Sequence, residues 1–210
     1  MGVDWFRSPD WNEPARTAFE ARLARARPRN RQQYLRIKGL ALRAAGHTAA
    51  ARELLERAAD HPDGHFFMTV SAWESLADMA VERGDRATAE QLYRRIVIEQ
   101  PSGSGTTGGI EISLAELLLD KGDPDARDEA LALLDSWMGR PRMKFDNQLF
   151  RWHLNLIRIA EAAGDRDAVR RAANSALTLA GRGPQLSRHP DVGLVRADEA
   201  ILERLRALAT

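Results

Sequence analysis

Histidines, a glycine-rich stretch and a run of arginines are the places where this sequence could do chemistry. His61 and His65 stand four residues apart, a spacing that on a helix puts two imidazoles on one face, as a metal site needs. Pro62 and Gly64 lie between them and break such a helix, and no third ligand is near. The stretch Pro101 to Gly109, PSGSGTTGG, precedes a helix starting near Ile110, and free amides at a helix start can hold an anion. It lacks the Gly-Lys-Ser/Thr ending and the preceding strand of a phosphate loop, so it reads as a flexible connection. No Gly-x-Ser-x-Gly elbow, HExxH or carboxylate pair with a matching base occurs. With no cysteine in the sequence, thiolate nucleophiles, disulfides, iron–sulfur clusters and cysteine-ligated zinc are excluded. The expectation is a protein without enzymatic activity, metal or cofactor.

Arg22, Arg25, Arg27, Arg29 and Arg31 could neutralise phosphates, as clustered arginines do on nucleic acids. The aromatic residues that would stack on bases are few. Phe19 and Tyr34 lie nearby, and both sit on apolar stripes that predict burial. Nucleic-acid binding through Arg22 to Arg36 is therefore an alternative reading and not the main one. A net charge of +1 hides segregation: Arg16 to Arg43 holds nine basic residues against Glu20, and Glu99 to Asp135 holds nine acids against Lys121 and Arg127. From Ser136 onward bases again outnumber acids, thirteen to eight. Basic ends docking on acidic middles of other copies would give a homo-oligomer, a second alternative.

The elements that must carry these residues are helices. In 210 residues, 44% hydrophobic and 29% charged, no apolar run nears the roughly 18 residues of a membrane span. Met1 to Asp10 lacks the basic and apolar segments of a secretion signal. A cytoplasmic protein is expected. Arginine dominates the basic residues, with lysine only at Lys38, Lys121 and Lys144, which suggests a bacterial, GC-rich source. Apolar residues recur at spacings of three and four, as in Tyr34, Leu35, Ile37, Leu40, Ala41 and Ala44, and again in Trp73, Leu76, Ala77 and Ala80. Strand-like alternation is missing, so the fold class is all-α.

Gly46, Gly84, Gly122 and Gly164 fall 38, 38 and 42 residues apart, the period of a helical solenoid. Each is placed to end one helix and turn the chain into the next, and Asp85, Asp123 and Asp165 follow three of them as caps. Pro62, Pro101 and Pro141 stop the second helix of the first three units. In the second unit Trp73, Leu76, Ala77, Ala80, Gly84, Ala89, Tyr93 and Pro101 resemble the tetratricopeptide repeat, with Ala80 in place of the helix A tyrosine. The first unit follows with Leu35, Gly39, Leu42, Gly46, Ala51, Leu55 and Ala58, and the third with Leu114, Ala115, Leu118, Gly122, Ala130, Leu134 and Pro141. In the third, the turn through Pro124 reads as three residues longer. A degenerate fourth unit surrounds Leu156, Ala160, Gly164 and Ala168, with His153 where the family has tryptophan. The resemblance implies one domain over 1–210, a right-handed superhelix of four hairpins (30–62, 68–101, 108–141 and 146–181). A capping helix is expected within 1–29 and another within 190–210.

Arrays that resemble this family bind proteins or peptides on the concave face of their A helices. Repeat positions counted from the four glycines place Gln33, Arg36, Leu40 and Arg43 there, then Glu74, Asp78 and Glu82, then Ile112, Ser113, Glu116 and Asp120, and last Arg151, Asn155 and Arg158. The expected ligand contacts are Arg36, Arg43, Glu74, Asp78, Glu116, Arg151, Asn155 and Arg158. The acids would hold basic side chains of a partner, and the arginines its carboxylates or phosphates. A solvated helix face is the alternative. A groove for a terminal carboxylate does not fit, because Glu74 would repel it. Trp137, Phe145, Phe150 and Trp152 gather around the fourth unit, where they read as core, with Trp152 also a candidate for a binding pocket. The function expected is a non-catalytic adaptor or scaffold.

Overall fold

The computed structural model describes residues 4–210. Among these are ten α-helices and no strand: α1 (Glu13–Arg25), α2 (Pro28–Ala44), α3 (Thr48–Ala59), α4 (Phe66–Glu82), α5 (Arg86–Glu99), α6 (Ile110–Leu119), α7 (Pro124–Gly139), α8 (Asp146–Ala163), α9 (Arg166–Ala180) and α10 (Glu199–Leu208). The sequence reads as one array, whereas contacts gather into two compact units, Met1–Ile110 and Glu111–Thr210.

In the first unit α2 packs on α3, α3 on α4 and α4 on α5. Gly46 and Gly84 adopt φ 82° and 79°, beyond the reach of most side chains. The next residue then folds back on the helix it has left: His47 N–H donates to the Leu42 carbonyl and Asp85 N–H to that of Ala80, both at 2.9 Å. Asp85 starts α5 by accepting the Thr88 N–H at 3.1 Å. At the α2–α3 crossing a Cβ on Gly39 would lie 2.9 Å from Leu55 Cγ, so only glycine permits that approach. Leu35, Leu42, Leu54, Leu55, Leu76 and Met79 fill the core between these helices.

Before α1, residues 4–12 form a non-helical arm; Met1–Val3 lie outside the described residues. Trp5 and Phe6 of the arm meet Phe19 and Tyr34, with the Phe6 and Tyr34 rings stacked at 4.7 Å. Lys38 is 2% exposed, and its Nζ donates to the carbonyls of Ser8 at 2.6 Å and Asp10 at 3.0 Å. A lysine reaching up from α2 thus holds the arm in place.

In the second unit α7 packs on α8, α8 on α9 and α9 on α10. The turn before α7 differs from the expected three-residue extension. Asp123 accepts the Ala126 N–H at 2.8 Å and Pro124 takes the first helical position, where its missing N–H costs nothing. The proline is absorbed into the helix, and residues 120–123 alone make the turn. Phe150, Ile157, Val169, Ala173, Ala176, Leu179 and Leu205 form the core.

The last helix also starts later than the expected 190. Residues 182–198 form a strap that serves the start of α8. Asn147 N–H donates to the Gly193 carbonyl at 2.9 Å, Asp146 N–H donates to Gln185 Oε1 at 2.7 Å, and Arg182 pairs with Asp146 at 3.2 Å. Helix starts leave their first amides open, and the strap supplies acceptors to two of them. Only at Asp198, which accepts the Ile201 N–H at 2.8 Å, does α10 begin.

Candidate functional site

The expected contact residues of the first unit come from α2 and α4, which touch along one side. Arg36 donates to Ser71 Oγ at 3.1 Å, while its Nε is buried without a partner, and burial lowers its pKa. Arg43 crosses the same gap, at 2.6 Å from Glu82 and 3.6 Å from Asp78. Burial would pull that guanidinium down, but the hydrogen bond and charge of Glu82 and the charge of Asp78 outweigh it and raise its pKa. Asp78 also accepts the Tyr93 hydroxyl at 2.6 Å. Two half-exposed acids of α4 are therefore shared with groups of the same unit.

Glu74 behaves differently. It is 6% exposed, and its carboxylate accepts the Thr107 N–H at 2.9 and 3.1 Å and the Thr107 hydroxyl at 2.5 Å. The connection expected to be flexible is therefore fastened, further braced by the Thr106 hydroxyl donating to the Gly103 carbonyl at 2.6 Å and accepting the Gly108 N–H at 3.0 Å. Gly105, at φ 86°, lies against α4, where a Cβ would come within 2.7 Å of the Phe67 carbonyl.

The second unit repeats the pattern with reversed order. Arg151 of α8 grips Glu116 of α6 with two hydrogen bonds of 2.5 and 2.9 Å and also donates to Ser113 at 3.0 Å. Arg158 reaches Asp120 at 2.6 Å. Asn155, 1% exposed, donates to the Arg151 carbonyl of its own helix at 3.1 Å. It stands beneath the surface, bonded to its own helix rather than to the stripe.

These pairs share one geometry. Arg43 with Asp78 and Arg151 with Glu116 are both 35 residues apart, and Arg158 with Asp120 is 38. Each links α2 to α4 or α6 to α8, like rungs between rails. Each pair keeps its side chains about a quarter to two-fifths exposed, except that Glu82 is 59% exposed. The arrangement offers a fixed polar surface with donors and acceptors at its outer edge.

Elsewhere, two arginines of the run serve the end of α1. Arg31 donates to the carbonyls of Ala26 and Ala24 at 3.0 and 2.7 Å, and Arg25 to that of Ala21 at 3.0 Å. Arg57 locks Glu20 with hydrogen bonds of 2.7 and 3.0 Å, and that bond is the leading reason its pKa is raised. Among the described residues no three His, Asp or Glu side chains gather as metal ligands would, and no helix is long and apolar enough to cross a membrane.

Three buried charges were not visible as such in the sequence. Glu111 is 3% exposed, touches Arg140 and lies 3.6 Å from Arg142. Burial, and secondarily Arg140, lowers Arg142, with Glu111 opposing it. Lys38 and Asp146, described above, are the others. The available signal was periodic: Glu111 stands where Leu35 and Trp73 stand relative to their glycines, an inward position. No family model matches this chain, and no curated protein matches it.

Proposed function

We propose that the chain is a non-catalytic module that binds a protein or peptide along its A-helix faces, the hairpins forming a tetratricopeptide-like superhelix. The observation that carries this reading is the set of half-exposed ion-pair rungs that link α2 to α4 and α6 to α8. Long charged side chains ordinarily lose rotamer freedom when a partner arrives. Here Arg43, Asp78, Glu82, Glu116, Asp120, Arg151 and Arg158 are already held by one another, so less ordering is left to do. Because the acids already have cations, charge sets the partner's register more than its affinity. A basic segment would share these carboxylates with the resident arginines. Apolar contact comes from Leu40 on α2 and from Phe67, 56% exposed at the start of α4.

A peptide-display selection against the wild type tests the reading, with selected peptides then measured on the double variant Leu40→Glu, Phe67→Ser. Both side chains reach solvent, and equal melting temperatures establish that the variant folds. Peptides that bind the wild type and lose most of their affinity for the variant support the proposal. A selection that yields no binder, or binders indifferent to the variant, overturns it.

A further inference from the structure

The second and fourth hairpins, 80 residues apart between Gly84 and Gly164, border grooves whose linings correspond at several positions. In the α4/α5 hairpin the groove is lined by Trp73, Arg83, Thr88, Leu92 and Arg95, and it is filled from within: the Arg95 guanidinium lies 3.8 Å from the centre of the Trp73 ring. The same five positions of the α8/α9 hairpin hold His153, Ala163, Ala168, Ala172 and Ser175, and all five line a cavity there. Every one is smaller than its counterpart, and the shared Leu76 and Leu156 are unchanged. The groove of the fourth hairpin, walled by α8, α9 and the turn between them alone, measures about 420 Å³; that of the second, walled also by Arg52, Glu56 and Ala59 of α3 and by Asp60, measures about 250 Å³. The larger volume lies within the range of small-molecule sites.

Two further features give the emptied groove a chemistry. Arg171, on its border, is exposed and has no hydrogen-bond or ion-pair partner among the described residues, although most arginines of this chain are paired. The corresponding residue of the second hairpin is the uncharged Gln91. His153 Nδ1 is buried with no partner, an arrangement that native proteins rarely leave unanswered. The remaining lining is largely apolar, with Leu156 and Ile159 from α8 and the Trp152 ring pinned by its Nε1 donating to the Leu134 carbonyl at 3.1 Å. Asp165 also borders the cavity, and its carboxylate is engaged by the Ala168 N–H at 2.9 Å. Asp165 precedes Arg171 by six residues, roughly 9 Å along the helix.

We propose that the α8/α9 groove is a binding site for a small organic carboxylate with an apolar body, whose carboxylate rests on Arg171 and whose body lies over Leu156, Ile159 and Ala172 against His153. The site lies on a different face of α8 from Arg151, Asn155 and Arg158, so it stands or falls apart from partner binding on the A-helix stripe.

The test is a titration of the full chain with 3-phenylpropanoate, indole-3-acetate and 4-methylpentanoate, followed by amide and imidazole nitrogen shifts in NMR. The amide 3-phenylpropanamide serves as the uncharged control. The carboxylates are expected to shift resonances of residues 152–175 in a saturable way, with the amide at least about tenfold weaker, as loss of a charge-assisted contact implies. Arg171→Gln, at an exposed and unpaired position, should weaken the carboxylates about tenfold and leave the amide unchanged. The double variant His153→Trp, Ser175→Arg, which restores the filling of the second hairpin, should abolish binding while the chain stays folded. Absence of shifts in 152–175 up to the solubility limit of all three carboxylates overturns the proposal. So does binding equal in the amide and the carboxylate, or unaffected by Arg171→Gln. Should the double variant fail to fold, Arg171→Gln and the amide control decide alone.

Discussion

Replacing Glu74 by alanine separates two accounts of that residue. If Glu74 faced solvent on the A-helix stripe, its loss would cost a few tenths of a kcal/mol, as surface changes do. In the structure its buried carboxylate receives two donors from Thr107, the backbone N–H and the hydroxyl. A hydrogen bond to a charged group contributes about 1.5–3 kcal/mol, and truncation also strands the donors. Against that, the variant no longer incurs the desolvation of a buried carboxylate. A net loss of about 2–4 kcal/mol is expected, or about 4–16 °C in melting temperature for a chain of this size. Thr107→Val removes the hydroxyl alone and should cost about 1–2 kcal/mol. Urea denaturation of Glu74→Ala, Thr107→Val and the double variant closes a cycle in which the coupling should exceed about 1 kcal/mol. Limited proteolysis should cut 101–109 faster in each variant. A Glu74→Ala protein as stable as the wild type, or a coupling near zero, would refute the fastening and return Glu74 to the open face.

Other consequences are open to simpler measurements. Lys38→Met leaves the Ser8 and Asp10 carbonyls without their donor; a loss of about 1.5–3 kcal/mol and early proteolysis within residues 4–12 are expected by denaturation and mass spectrometry. Glu111→Ala strands Arg140 and Arg142 around a buried site and should cost about 3–5 kcal/mol, whereas a neutral thermal melt would contradict the burial. Burial lowers the His153 pKa from its usual 6.5. The unfolded chain therefore binds a proton at His153 before the folded one does, so its contribution to stability is intact above pH 6.5 and declines as pH falls below it. Melts at pH 7.5 and 5.5 should show that decline reduced in His153→Trp, and an unchanged pH slope would remove the cause assigned to it.

Local features of this fold are written in short stretches of sequence. Gly46, Gly84 and Gly164 with the residues after them, the caps Asp85, Asp123 and Asp165, and the apolar spacing of three and four each depend on neighbours a few positions away. Boundaries therefore follow closely, apart from those at Pro124 and Glu199. In the first case a proline that looks like a breaker is compatible with a first helical turn. In the second, the apolar residues near 195 have helical spacing, but Gly193 and Gln185 are committed to the start of α8, some 40 residues earlier in the chain. The candidate surface was legible as a stripe of positions and illegible as chemistry. Charge type tells which residues prefer water, yet Glu74, Glu111 and Lys38 are buried because their partners arrive from 28 to 33 residues away. Likewise the acids of the stripe looked available to a partner until the register of neighbouring hairpins set an arginine beside each of Asp78, Glu116 and Asp120.

The order of charge in these rungs bears on how such a chain is made. In the first unit the earlier hairpin supplies the arginine and the later one the acids, while in the second unit the acids come first. Tandem duplication of the α2–α3 segment would set one Arg43 opposite another, and duplication of α6–α7 would set Glu116 opposite itself, each with its former mate displaced by a hairpin. Identical neighbours thus repel where complementary ones attract. The hairpins are not interchangeable beads: each stripe face fits the charge of a particular neighbour.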